Sequence, residues 1–411
     1  METGVKDYSL DDIKSLEISS LDEDEEQTQE EDDNDDDDED DGPVTLGFLE
    51  KPSNLYTLLR QYFPSKAGGV PAWLDPVDLP SEQSCLCDIC REPLQFLLQV
   101  YAPLTNTEST FHRTLFVFMC TSMTCLLQDQ REQWKRRPEK LYRSVKVFRS
   151  QLTRSNPFYS SDPPMHDKTD KPPGIGAALC HWCGTWKGDK VCSSCKGARY
   201  CSGKHQVMHW RSGHKIDCQR MNVPSRSSLS NNKTISTEIK IGMFASNALW
   251  PEFEIISEEE CEFDTEESEC NQSNALTSEG QKDETIDSLS ENFKGDDDKR
   301  SWASFQARLA KAPEQVLRYS RGVEAKPLWP VSSGRLSNTD IPKCKYCDGP
   351  MCCELQILPQ LLYYFGVKNE ADSLDWATIV VYTCEGSCEA SVSYREEFAW
   401  VQLPSLSHAV P

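Results

Sequence analysis

The stretch Cys87-Asp88-Ile89-Cys90-Arg91-Glu92-Pro93-Leu94-Gln95-Phe96-Leu97-Leu98-Gln99-Val100 returns far downstream as Cys344-Lys345-Tyr346-Cys347-Asp348-Gly349-Pro350-Met351-Cys352-Cys353-Glu354-Leu355-Gln356-Ile357. Both pieces open with C-x2-C, both place Pro three residues after the second cysteine, and both continue without a gap into Leu-Gln followed by a β-branched residue. Further along each copy, Phe116-Val117-Phe118-Met119-Cys120 with Cys125 corresponds to Val380-Val381-Tyr382-Thr383-Cys384 with Cys388. Each copy reads as a knuckle, a strand, a variable connection, a second strand and a closing cysteine pair. The short aromatic and aliphatic runs Phe96 to Tyr101 and Leu115 to Met119 supply the strands of the first copy.

Two four-cysteine sites follow, Cys87, Cys90, Cys120 and Cys125 in one copy and Cys344, Cys347, Cys384 and Cys388 in the other. Thiolates in such pairs suit zinc; the alternative is buried free thiols, with Cys85 able to replace a neighbour. Cys352 and Cys353 fall where the first copy has Gln95 and Phe96 and read as strand residues, while Cys261 and Cys270 receive no role. Paired strands have edges to satisfy, so the two halves are expected to join into one body. The fold class is α+β and β-rich: duplicated zinc-containing β halves with a small inserted zinc finger and disordered acidic segments.

Charge marks what lies outside that body. The chain has 411 residues and a net charge of -24, but Asp22 to Asp41 holds 16 acidic and no basic residues, and Glu252 to Asp298 holds 18 acidic and 2 basic. The remainder is therefore mildly basic, flanked and interrupted by acidic ribbons with too little apolar surface to offset the entropy of folding. The expected organisation is a disordered tail over 1–42, an N-terminal half over 43–165, a finger over 176–221, a disordered acidic linker over 222–300 and a C-terminal half over 301–407. Gln128 to Gln151, with Trp134, Leu141, Val145 and Phe148 at roughly helical intervals, reads as one or two basic amphipathic helices broken near Pro138. That basic face is read as solvated, and direct nucleic-acid binding is not expected, because aromatics do not interleave with it.

Met1 to Leu10 lacks the basic start and apolar stretch of a secretory signal, so the nineteen cysteines are expected in a reducing compartment, the clustered ones as metal ligands. No apolar run approaches the roughly 20 residues needed to cross a bilayer, and no membrane partner is expected. Lys135-Arg136-Arg137 is too short to serve as evidence of an import signal. There is no Ser-His-Asp array, phosphate-binding glycine loop or open metal site, and the chain is not expected to be an enzyme.

Between the halves lie eight further donors: Cys180, Cys183, Cys192, Cys195, Cys201, His205, His214 and Cys218. Two are C-x2-C pairs, and two are i, i+4 pairs that share one face of a helix. Four half-sites make two tetrahedral zinc sites, closed to a catalytic water and able to stabilise about 40 residues that have little core of their own. Spacing permits interleaved or sequential pairing. His209 and Trp210 read as packing residues, since the ligand count is complete without them.

This run, with Tyr200-Cys201-Ser202, Gln206, His209-Trp210 and Gly213-His214-Lys215, resembles a MYND zinc finger, with His205 where Cys is usual. The resemblance implies interleaved sites, Cys180, Cys183, Cys201 and His205 in one and Cys192, Cys195, His214 and Cys218 in the other. With Leu46-Gly47-Phe48, Gly68-Gly69-Val70-Pro71-Ala72-Trp73-Leu74, Val147 to Leu152 and Ile341-Pro342 through Trp376, most of residues 44 to 407 resembles the programmed cell death protein 2 family. That resemblance implies a dedicated chaperone for a newly made small-subunit ribosomal protein, number two in eukaryotic naming. It would act in 40S ribosome biogenesis and rRNA processing, in cytoplasm and nucleus.

Acidic ribbons are compatible with a basic client, and an exposed strand edge could capture its extended tail. A second reading is a transcriptional adaptor whose finger binds proline-rich peptides; a methyltransferase lacks any recognisable SET cofactor motif. The ligand count implies about four zinc ions per chain, two in the finger and one in each half.

Overall fold

A computed structural model describes residues 43–80, 83–135, 142–164, 175–221, 249–263, 297–368, 370 and 372–404. The acidic tail over 1–42 and most of the acidic stretch over 222–300 lie outside the described residues. Among the described residues the strands in chain order are β1 (Thr45–Glu50), β2 (Lys66–Ala67), β3 (Gln95–Tyr101), β4 (His112–Met119), β5 (Val145–Leu152), β6 (Lys190–Val191), β7 (Arg199–Tyr200), β8 (Phe253–Glu259), β9 (Leu317–Gly322), β10 (Met351–Ile357), β11 (Thr378–Cys384) and β12 (Tyr394–Gln402). Ten of them close into a barrel in the order β1-β8-β2-β3-β4-β5-β12-β11-β10-β9, while β6 and β7 form a separate ribbon.

Period-two alternation builds the wall. Along β4, Leu115, Val117 and Met119 join the core shared by all ten strands, while Phe116 and Phe118 belong to a second cluster outside it. Along β11 the same division separates Ile379 and Val381 from Val380 and Tyr382. Each fully buried aliphatic side chain contributes roughly 1.5–3 kcal/mol through removal from water.

The two halves repeat one register. Phe96 pairs with Phe118, Leu98 with Val117, and the ladder shifts between Phe96 and Leu98. Cys353 pairs with Tyr382, Leu355 with Val381, and the shift lies between Cys353 and Leu355. The extra residue of each bulge is therefore Leu97 in one half and Glu354 in the other. Val117 pairs with Val147 and Val381 with Ala399, which sets β5 and β12 in correspondence. β5 and β12 meet across the seam, Tyr394 opposite Ser150 and Glu397 opposite Val147.

The first strand of each half crosses over. β1 leads the N-terminal half but pairs with β9, and β8 leads the C-terminal half but pairs with β2; β1 and β8 then pair with each other from Thr45–Glu259 to Glu50–Glu254. Neither half completes its own wall.

Three expectations need correction. The acidic stretch over 222–300 is not all linker: Phe253–Glu259 is a barrel strand with Phe253 and Ile255 buried, and the α-helix Asp297–Lys311 begins inside it. Among the described residues the Gln128 to Gln151 helix reading holds only at α1 (Met123–Trp134), residues 136–141 lying outside them; Val145–Leu152 is strand β5, because alternate residues Val145 and Val147 enter the core while Phe148 joins the outer cluster. The exposed strand edge is also overturned, since ring closure gives each of the ten strands two neighbours.

Gly68 and Gly69 carry φ of 69° and 64°, and a Cβ on Gly68 would sit 1.9 Å from the Pro251 carbonyl oxygen. The paired glycines are where the lead-in to β8 crosses the lead-out of β2, and the Gly69 amide donates to the Trp250 carbonyl at 3.0 Å.

Candidate metal centres

Four knuckles share one backbone device. In each, the amide four residues after the first cysteine donates to that cysteine's carbonyl: Arg91 to Cys87, Gly184 to Cys180, Lys196 to Cys192 and Asp348 to Cys344, at 2.8–3.0 Å. All four donors sit at φ between 57° and 65°, a left-handed conformation that costs Arg91, Lys196 and Asp348 about 1–2 kcal/mol each. The tight turn sets both thiols of a C-x2-C pair on the same side.

The remaining donors come from rigid elements. Cys120 directly follows β4 and Cys125 sits in the first turn of α1; Cys384 ends β11. Ser202 caps the helix α2 (Gly203–His209) by accepting from the His205 amide at 3.1 Å, which aims His205 back at Cys201. A π-helical turn over Trp210–His214, with Gly213 at φ 152°, then leads to α3 (Lys215–Met221) and presents His214 and Cys218 together.

The sixteen side chains assemble as four quartets: Cys87, Cys90, Cys120, Cys125; Cys180, Cys183, Cys201, His205; Cys192, Cys195, His214, Cys218; and Cys344, Cys347, Cys384, Cys388. The donor atoms of each quartet lie within 4.8 Å of one another, and the finger quartets interleave. Sγ–Sγ separations are 3.6 Å for Cys90–Cys120, 3.9 Å for Cys183–Cys201, 3.9 Å for Cys192–Cys218, 3.7 Å for Cys344–Cys388 and 3.6 Å for Cys347–Cys384. Zn–S bonds of about 2.3 Å in a tetrahedron require edges of about 3.8 Å, so the donor sets fit that ion. Nδ1 of His205 faces Cys180 at 3.7 Å, and Nε2 of His214 faces Cys195 at 3.6 Å.

Thiols this close cannot hold four independent protons. The hydrogen bond from Cys120 pulls the Cys87 thiol down to about 5 against the opposing effect of burial, while Cys120 itself is pushed far up. His205 rises to about 9: burial opposes this, but hydrogen bonds to the Cys180 and Cys183 sulfurs outweigh it. Among the described residues the cysteines form no disulfide.

Residues outside the quartets also receive their places. His209 is not a donor: its Nδ1 meets the Tyr200 hydroxyl at 3.0 Å and its ring stacks on His214 at 4.9 Å. Trp210 packs edge-on to His214 and stays 40% exposed. Cys352 and Cys353 lie in β10, and Cys85 sits outside its quartet with its thiol toward the Pro80 carbonyl at 3.6 Å.

The finger is docked on the barrel. Trp73 donates through Nε1 to the Thr185 carbonyl at 2.8 Å, and Trp186 donates to the Leu94 carbonyl at 2.8 Å. Trp186 packs 4.4 Å from Phe118 and Trp73 5.1 Å from Phe116. Trp73, Phe116 and Phe118 belong to runs that stand out in sequence, but Thr185 and Trp186 do not. The matching outer face of the other half, Cys353, Val380, Tyr382 and Trp400, is covered instead by Ala325, Trp329, Leu336 and Ile341.

Residues 43–166 match the family model for the N-terminal domain of programmed cell death protein 2, 180–218 the MYND finger, and 299–403 the C-terminal domain of programmed cell death protein 2. The barrel strand β8 lies in none of these segments. The chain is 36% identical over 369 residues to programmed cell death protein 2 of Mus musculus, covering 88% of this chain and 96% of that protein. It is 26% identical over 367 residues to programmed cell death protein 2-like of Homo sapiens, covering 84% and 91%. A ubiquitin C-terminal hydrolase 15 of Oryza sativa subsp. japonica is 54% identical over 44 residues, 10% of this chain. No solved structure matches.

Proposed function

This chain belongs to the programmed cell death protein 2 family, and we propose that it is a zinc-stabilised interaction scaffold, a non-enzymic chaperone of a newly made small-subunit ribosomal protein, number two of that subunit. Four zinc ions hold it together, one per quartet, and a duplicated zinc-bearing half is its evolutionary unit. The observation that carries the reading is the commitment of every quartet to four protein donors, which makes the metals architectural and leaves recognition to the surface.

Acidity on the barrel wall supports a basic client. Glu258 and Glu259 are exposed on β8, so the acidic stretch is anchored in the wall rather than merely tethered to it. Action in 40S biogenesis and rRNA processing, in cytoplasm and nucleus, follows from that client.

The finger favours a second reading. Val207, Met208 and Ile216 are exposed apolar side chains on α2 and α3, and a transcriptional adaptor would dock proline-rich peptides there. Deleting the finger would uncover Trp73, Phe116 and Phe118, so point substitutions separate the readings better. Tagged full-length chain purified during translation should recover the ribosomal protein, and Val207→Glu with Ile216→Glu should leave that recovery intact. Recovery of no ribosomal protein overturns the chaperone; loss of the main partner in the double variant favours the adaptor.

A further inference from the structure

The C-terminal quartet is held by both halves. Arg149, on β5 of the N-terminal half, reaches across the seam: Nη1 donates to the Cys388 carbonyl at 3.3 Å, and Nη2 lies 3.8 Å from the Cys388 sulfur. Its Nε donates to Glu397 on β12 at 2.5 Å, and the other oxygen of that carboxylate accepts the Cys384 amide at 3.1 Å. One ion pair therefore touches both closing ligands of the quartet, with side chains 0% and 1% exposed. Gln151, next along the same face of β5, accepts from Arg149 and donates to the Ser387 carbonyl at 3.0 Å.

Among the described residues the N-terminal quartet has no such partner. By the register that pairs Val117 with Val147 and Val381 with Ala399, the positions matching Arg149 and Glu397 are Val401 and Val145. Both valines sit in the apolar core. The local support of that quartet comes from its own half: the Cys120 amide donates to the Ser144 carbonyl at 2.8 Å, and Asp88 accepts the Arg143 amide at 3.1 Å and pairs with Lys146 at 2.8 Å.

We infer that Arg149 is the positioning residue of the C-terminal metal site, so that metal retention at Cys344, Cys347, Cys384 and Cys388 and closure of the β5–β12 seam are one coupled step. The inference rests on the zinc reading of the quartets. Zn2+ with four thiolates carries two net negative charges; a buried guanidinium donating to one sulfur offsets part of that charge and fixes the ligand's orientation. Because the cation comes from the other half, this site reaches full affinity only in the assembled barrel, whereas the N-terminal quartet needs no residue from its partner half.

The test uses the full chain under a rising concentration of chelator, with zinc retained counted by native mass spectrometry and each cysteine's alkylation read by peptide mapping. Arg149→Met should lower zinc affinity at the C-terminal quartet about 10- to 100-fold while the ten cysteines of the other quartets keep their wild-type protection; Arg149→Lys, which keeps the charge and loses the fork, should fall between. Equal loss at all four quartets, or no change at the C-terminal one, overturns the inference.

The wild-type chain supplies a variant-free arm. Amides of β5 and β12 should begin to exchange at the chelator concentration that exposes Cys384 and Cys388, and alkylation of those cysteines with β5 still protected overturns the coupling. A wild-type C-terminal quartet that never holds zinc overturns the zinc reading itself; zinc held there but uncoupled from the seam overturns only this inference.

Discussion

Arg113 on β4 donates two parallel hydrogen bonds to Glu354 on β10, Nη1 to Oε1 at 2.5 Å and Nη2 to Oε2 at 2.7 Å, with both side chains 0% exposed. Burial alone would raise the Glu354 pKa, but the Arg113 charge and its hydrogen bonds hold the carboxyl below the usual range. The Tyr319 hydroxyl donates to the same carboxylate at 3.1 Å. Glu354 is the bulge residue of β10, and its counterpart in the other half is Leu97 in the apolar core. The pair thus joins the halves at a place where they are chemically unlike.

Removing Arg113 takes the bidentate partner from the buried Glu354 carboxylate and leaves it Arg321 at 3.6 Å. Arg113→Met should destabilise the protein by about 3–5 kcal/mol, whereas Arg113→Met with Glu354→Leu should return most of that loss, because desolvation nearly cancels the attraction of a buried pair. Urea unfolding of both variants checks this; a double variant no more stable than Arg113→Met would contradict it.

β8 should count as core. Ile255 is 5% exposed among residues of the shared interior, and Ile255→Ala should cost about 2–5 kcal/mol in denaturant unfolding. A residue in a solvated linker would change stability by less than about 0.5 kcal/mol.

The finger and barrel should loosen together. Trp73→Ala removes a side chain 4% exposed that contacts Phe116, Phe118, Trp186 and Tyr394, with an expected cost of about 3–5 kcal/mol. Amide exchange should rise in the finger as well as at β4. A finger that keeps its protection would show that its metals alone hold it.

His112 should titrate below the ordinary histidine value, because burial disfavours its charged form; its ring stacks on Phe63 at 4.1 Å and its Nδ1 meets the Tyr101 hydroxyl at 3.0 Å. With the folded pKa below the unfolded value of about 6.5, this group costs nothing above that pH. Stability is then lost as pH falls from about 6.5 toward the folded value. An NMR titration of the ring checks the direction.

The sequence displays some of this architecture and conceals the rest for physical reasons. The knuckles are legible because the left-handed turn and the donor pair occupy adjacent residues, and β3 and β4 because short apolar runs end at cysteines. β8 is concealed because its outer face and its neighbours are acidic, leaving Phe253 and Ile255 as the whole inward signal. Gly68-Gly69 is the distant trace of it, required by positive φ at both residues and by the Pro251 carbonyl passing over Gly68. β5 reads as helix because Val145 and Phe148 fall three apart, a spacing compatible with strand once the finger covers the outer face and Trp186 reaches Phe148. Arg149, Glu397, Arg113 and Glu354 are ordinary charges in sequence; only ring closure brings them together inside.

We propose that zinc turns these thiols into architecture, and native mass spectrometry of the purified full chain, followed by alkylation without denaturant, tests that most directly. The expected result is about four zinc ions per chain with the fourteen quartet cysteines protected, and unfolding once the metal is withdrawn. A chain that stays folded with no metal and with the cysteines of the four quartets freely alkylated would contradict it.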